Sequence, residues 1–328
     1  MSSVDWPGPD IFAPENIDGE IRELNESILS RLAAAPDIWS FSLPEIRKAR
    51  AAGRGSFPLP APDRHAIEQT IVGDDGHPIG LRILHPLTRA PRGTYLHFHG
   101  GGWVMGTARE NDLRLRRLVE VTGFSAVSVD YRLAPEHPFP AAIDDCLTAA
   151  LWLVGEGGSE FDRSVLAIGG ESAGAHLTVA TLVALRDRYQ LTPFSAANLT
   201  AGCFDLSLTP SVRNWGSDKL ILNTRDVEKF VENFVPATID RRDPAVSPLF
   251  ADLADMPPAL FSCGTADLLI DDTLFMAARW LAAGNTAEID IAPGGCHVFQ
   301  SFETKLAEAS RERIETFLNS RIDAALAT

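Results

Sequence analysis

Val165-Leu166-Ala167-Ile168-Gly169-Gly170-Glu171-Ser172-Ala173-Gly174-Ala175-His176-Leu177 decides how the rest of the chain is read. An apolar run of strand length ends at Ile168, a Gly-Glu-Ser-Ala-Gly turn follows, and a helix-like run continues to Arg186. In a strand, sharp turn, helix arrangement the serine at the tip sits in a strained backbone conformation that pushes its hydroxyl into open space. Small neighbours are needed because the turn leaves no room for side chains, and Gly170 and Gly174 supply that room. A G-x-S-x-G pattern alone also occurs in plain turns, so a nucleophile at Ser172 requires a base, an acid and an oxyanion hole elsewhere in the chain.

Outward from this turn, short apolar runs alternate with helical patterns. Strands are expected over 66–72, 79–84, 94–98, 126–129, 165–168, 196–201, 259–263 and 287–291, the first two joined as a hairpin at Gly73-Asp74-Asp75-Gly76. Helices are expected over 108–121, 140–154, 175–188, 274–283 and 299–326. This alternation predicts a mainly parallel sheet covered on both faces.

Two segments stand apart from it. Residues 1–64 hold a Pro-rich start, an amphipathic helix with Ile17, Ile21, Leu24, Ile28 and Leu32 on one face, a second helix over 44–52, and the linker Phe57-Pro58-Leu59-Pro60-Ala61-Pro62. Residues of about 205–240 interrupt the alternation with a helix that clusters Val227, Phe230, Val231 and Phe234. Both are expected to form a helical cap on a catalytic domain spanning 65–328.

The whole-chain numbers narrow the function classes. At 328 residues, 45% hydrophobic and 22% charged, the chain has a globular composition and can bury a large core, and no apolar run approaches the roughly 18 residues of a membrane span. A formal charge of −15 with no Lys/Arg cluster disfavours nucleic acid and anionic lipid as partners. Cys146, Cys203, Cys263 and Cys296 are scattered without a C-x-x-C pair, which suits reduced, packed thiols. Met1 to Pro7 shows no basic and apolar leader, so a cytoplasmic location is expected.

The chemistry-bearing residues follow strand ends. His99-Gly100-Gly101-Gly102-Trp103 directly follows one strand, and consecutive glycines free backbone N–H groups to converge on a carbonyl oxygen under attack. A dinucleotide fingerprint is disfavoured because Met105 stands where its third glycine belongs. Asp267 follows a second strand end and His297 a third, in the order Ser, Asp, His that this type of turn demands. Histidine takes the serine proton near neutral pH, and aspartate fixes the imidazole tautomer. Asp271 and Asp272 are rival acids but fall within the next helix. His97 and His99 lie two apart on a strand, a spacing open to metal ligation, yet no third ligand stands out and buried hydrogen bonding is favoured. Tyr131 to Pro140, with its prolines, reads as a rigid scaffold, His137 included.

Assembled, His99 to Gly102, Tyr131 to Pro140, Gly170 to Gly174, Asp243 to Leu249 and the D-x-L-x-D of Asp267, Leu269 and Asp271 resemble the bacterial hormone-sensitive lipase family of α/β-hydrolases. The resemblance covers most of the chain from about His65. It implies an α/β-hydrolase fold with an eight-stranded, mostly parallel sheet and a helical lid. It implies a catalytic triad of Ser172, Asp267 and His297, and an oxyanion hole from the N–H groups of Gly101, Gly102 and Ala173. It further implies a serine carboxylesterase acting on short to medium chain esters without cofactor or metal, and homodimerisation through the last strand. The same machinery suits lactones, amides or acyl transfer. A non-catalytic small-ligand receptor on this fold is disfavoured by the presence of His297. The chain departs from the family at Val298, where glycine usually follows the histidine, and has Glu171 where aspartate is commoner.

Overall fold

The structure, a computed structural model, describes Trp6 and residues 8–326. The leader reading of Met1 to Pro7 therefore falls, Trp6 apart, outside the described residues. In chain order the elements are α1 (Gly19–Ala34), α2 (Leu43–Ala51), β1 (Ile67–Val72), β2 (Pro78–Leu84), β3 (Thr94–Phe98), α3 (Asp112–Thr122), β4 (Ser125–Asp130), α4 (Ala141–Val154) and β5 (Leu166–Glu171). There follow α5 (Ala173–Tyr189), β6 (Ala196–Thr200), α6 (Pro210–Trp215), α7 (Thr224–Phe234), β7 (Ala259–Gly264), α8 (Ile270–Ala282), β8 (Ala287–Ala292) and α9 (Lys305–Leu326).

The strands form one eight-stranded sheet in the order β1-β2-β4-β3-β5-β6-β7-β8, antiparallel at β1/β2 and β2/β4 and parallel from β4 to β8. The period-2 alternation of strands divides the core between the two faces. Leu96, Phe98, Ile168 and Phe261 point to the face covered by α4, α5 and α8, whereas Tyr95, Ala167 and Leu260 point to the one covered by α3 and α9. Central strands buried on both faces explain why these runs read as continuously apolar.

Several boundaries differ from expectation, among them the start of α3, at Asp112 rather than Ala108 because Ala108–Asn111 form a 3₁₀ turn. β5 runs on to Glu171 rather than stopping at Ile168, which brings the strand directly to Ser172. Helix α8 begins at Ile270, before the expected Leu274, because Asp271 and Asp272 occupy a first turn where carboxylates are favourable. The last helix begins at Lys305 rather than Phe299; residues Phe299–Ser301 form a separate 3₁₀ turn.

The two segments outside the alternation meet each other. The Trp39 ring packs edge-on against Phe230 of α7 at 5.3 Å, and its Nε1 donates to Asp226 Oδ1 at 2.7 Å. Arg225 pairs with Asp37 at 2.8 Å. Asp226 also closes the capping box that starts α7, with Asn223. Helix α1 seats Ile21 and Ile28 in the core and donates from Asn25 Nδ2 to the Gly294 carbonyl at 2.8 Å. Among the described residues no helix is long and apolar enough to cross a membrane.

Candidate active site

Ser172 follows the last residue of β5 and precedes the first of α5, with φ 54° and ψ −119°, a region costly for any residue with a side chain. What holds it there is the close approach of the turn to β3. A Cβ on Gly174 would lie 1.9 Å from the Phe98 carbonyl oxygen, and one on Gly170 2.3 Å from the same atom. The Ser172 N–H donates to the Thr200 carbonyl at 2.9 Å, tying the turn to β6 as well.

Asp267 leaves the carboxyl end of β7 and His297 that of β8. The loops are fastened to each other: a Cβ on Gly264 would meet the Gly295 carbonyl oxygen at 1.8 Å, Ala266 N–H donates to that carbonyl at 3.1 Å, and Gly294 N–H to Thr265 Oγ1 at 2.8 Å. The outcome is a hydrogen-bonded chain in which His297 Nδ1 meets Asp267 Oδ2 at 2.9 Å and His297 Nε2 meets Ser172 Oγ at 3.0 Å. Asp267 is 1% exposed and its Oδ1 accepts from the Leu269 N–H at 2.9 Å, so the carboxylate is oriented from both sides. A carboxylate only accepts, so Nδ1 carries the proton and Nε2 is left to accept from the serine hydroxyl.

Opposite Ser172, Gly101 and Gly102 adopt φ 130° and 59°, and among the described residues no backbone carbonyl takes their N–H groups. Ala173 opens α5, so its N–H also has no intrahelical partner. The N–H groups of Gly101, Gly102 and Ala173 thus have no backbone acceptor among the described residues. Val298, after the histidine, has φ 50°, the left-handed region that glycine enters freely and a β-branched residue only at a cost.

The other candidates are placed elsewhere. Asp271 accepts from the Ser211 N–H at 2.7 Å, and Asp272 from the N–H groups of Phe204 and Asp205 and from Thr209 Oγ1. Both acids anchor α6 and the chain before it to α8, and burial pushes the Asp272 carboxyl up to about 7. His99 stacks on Tyr131 at 4.2 Å, and the Tyr131 hydroxyl donates to its carbonyl at 2.7 Å. His137 lies against His77. His97 is enclosed between Ser128 Oγ and Glu171, and burial holds its pKa well below the usual range. No cluster of three potential metal ligands occurs among the described residues. Cys296, beside the histidine, is buried and its thiol is pushed up to about 12, which suits packing rather than reactivity.

Ser172 and His297 open on a cavity of about 410 Å³. Ile38, Leu222 and Phe230 from the two outlying segments line one side, and the Phe230 ring lies so close to Gly102 that a Cβ there would come within 2.4 Å of it. Sequence periodicity flagged Phe230 only as an apolar position. His176, which the sequence reading left aside, is neutral, its pKa lowered by burial to about 4. It joins the glycine loop after β3 to the 243–249 turn by accepting from Trp103 Nε1 at 3.1 Å and donating to the Val246 carbonyl at 2.8 Å.

Residues 95–301 match the family described as the alpha/beta hydrolase fold. A carboxylesterase of Mycobacterium tuberculosis (NlhH) is 30% identical over 90% of this chain and 92% of its own length. An ethyl acetate hydrolase of Pseudomonas putida is 31% identical over 72% of this chain and 76% of its own. Among solved structures, a hormone-sensitive lipase from a metagenome library superposes with a TM-score of 0.80 at 26% identity, covering 93% of this chain and 99% of its own. An esterase of Pyrobaculum calidifontis reaches 0.79 at 27% identity over 91% of this chain and 97% of its own.

Proposed function

The chain belongs to the hormone-sensitive lipase family of α/β-hydrolases and is a carboxylic ester hydrolase, and from that premise we propose that it cleaves short to medium chain esters through an acyl-enzyme on Ser172. The single observation that carries this reading is the hydrogen-bonded chain from Asp267 through His297 to Ser172, opening on a cavity of small-molecule size. His297 Nε2 takes the Ser172 proton as Oγ bonds to the ester carbonyl carbon. The carbonyl π electrons move onto oxygen, where the N–H groups of Gly101, Gly102 and Ala173 stabilise them by about 3 kcal/mol per donor. Collapse breaks the bond to the alcohol oxygen, which receives the proton from His297. A water then repeats the sequence and releases the acid.

The segments over 9–51 and 205–240 serve in this reading as one cap, and the cap sets chain length. Phe230→Ala is expected to shift the optimum of a p-nitrophenyl ester series by about two to four carbons toward longer chains, since it opens the wall against Gly102. Initial rates from acetate to decanoate check this, and an unmoved optimum counts against the cap's role. A relative's name, ethyl acetate hydrolase, supports the short end of the range. Parallel rates on esters, lactones and anilides, with and without an added alcohol, test the class as a whole: ester hydrolysis should lead. Pairing of two chains through the free edge of β8 completes the proposal, and light scattering on the eluted protein measures it.

A further inference from the structure

Glu171 puts a carboxylate next to the nucleophile, facing the same cavity, although the reaction builds negative charge there. Its side chain is 6% exposed, and a buried carboxylate without a partner would cost several kcal/mol. Two groups reach it. His97 Nε2, from β3, lies 2.8 Å from Oε1 and donates to it, while His97 Nδ1 accepts from Ser128 Oγ at 2.8 Å. Burial keeps this imidazole neutral, so it orients the carboxylate without cancelling its charge. Arg114, from the first turn of α3, ion-pairs with Oε1 and is steadied by Asn111 Oδ1 at 3.1 Å. A second contact, from Arg114 to His97 Nε2 at 3.2 Å, would set two donors face to face, so the carboxylate is what the guanidinium grips.

We propose that Arg114 is a positioning residue of the nucleophile turn. Its charge cancels that of Glu171, so the carboxylate can tie β5 to β3 and α3 without opposing the oxyanion or over-stabilising a protonated His297. The other charges facing the cavity, the solvent-exposed Glu303 apart, are compensated in their own pairs. Arg50 is on Glu110 at 2.6 Å, Arg117 and Arg311 are on Glu308, and Lys219 is on Asp226. Among the described residues Arg114 is the only cation on Glu171.

This rests on the triad reading, and the test separates the two. The kcat/KM of a short-chain ester is measured against pH for the wild type and for Arg114→Met, Glu171→Gln and the double variant, with Ser172→Ala as control. An uncompensated carboxylate favours the imidazolium, so Arg114→Met should move the acidic limb up by about half to one pH unit, with kcat down about tenfold and KM little changed. An uncompensated guanidinium acts oppositely, so Glu171→Gln should move the limb down. The double variant should return it to within about 0.2 of wild type. A merely structural pair would lower activity without opposite shifts. Limbs that stay put, move together or fail to return in the double variant overturn the inference. If Arg114→Met does not fold, the sign of the Glu171→Gln shift decides alone. Turnover surviving Ser172→Ala overturns the triad reading instead.

Discussion

Ser172→Ala is expected to lower kcat/KM for a chromogenic short-chain ester by about 10⁴-fold or more, because it removes the oxygen whose proton His297 is placed to accept. The fold should not register the change. The substitution removes one atom whose hydrogen-bond partner also faces the cavity, and alanine meets the same backbone cost at φ 54° as serine. The melting temperature should stay within about 3 °C of wild type, about 1 kcal/mol or less for a chain of this size. Binding of a substrate analogue should survive, since the N–H groups of Gly101, Gly102 and Ala173 are untouched. Labelling by a fluorophosphonate probe, present in the wild type and absent in the variant, gives a second readout. Retained turnover would place the nucleophile elsewhere.

Asp267→Asn is expected to cost about 10³- to 10⁴-fold in kcat with little change in KM. The structure shows why the effect should be large despite the near-identical shape. The Leu269 N–H donates to Oδ1, so an asparagine keeps its oxygen on that side and turns its NH₂ toward His297. Nδ1 must then accept, the ring proton moves to Nε2, and the imidazole faces the serine hydroxyl with a donor in place of an acceptor. Asp272→Asn provides the contrast. Asp272 holds the N–H groups of Phe204 and Asp205 and the Thr209 hydroxyl, so its loss should lower the melting temperature while leaving kcat within about threefold. A reversal of the two phenotypes would assign the acid to Asp272.

Much of this was legible in the sequence. Each proposed triad member follows an apolar run of strand length, and a parallel sheet collects the carboxyl ends of its strands on one side, so order along the chain translated into proximity. The charged partners of the site did not translate in this way. Arg114 sits in Leu113-Arg114-Leu115-Arg116-Arg117, inside the helix expected over 108–121, where spacing names no partner for any of the arginines. The three arginines go to different places: Glu171 under the nucleophile, Asp63 before β1, and the Glu308 and Glu315 carboxylates of α9. No local pattern encodes such pairings, because long side chains choose partners only after the layers have packed. Phe230 was visible as one of four apolar positions at helical spacing, but which of them would face Gly102 depends on how α7 is tilted onto Trp39. The two shifted helix starts have simpler reasons: periodicity marks apolar residues, so the polar first turn of α8 at Ile270 lies outside it, whereas Phe299 and Phe302 carry the apolar pattern of α9 back through a 3₁₀ turn that ends before Lys305.

The seating of α1 on the loop before His297 also has a meaning in time. Asn25 and the Gly294 carbonyl that it holds are 269 residues apart, and Glu20 accepts from the Lys305 N–H across 285. A ribosome adding roughly 5 to 20 residues per second delivers α1 many seconds before the surface that buries Ile21 and Ile28. Helix α1 is therefore made early and docks late. Through that interval its apolar face is open to chaperones and proteases, and its arrival marks the moment at which the loop carrying His297 is held from both sides.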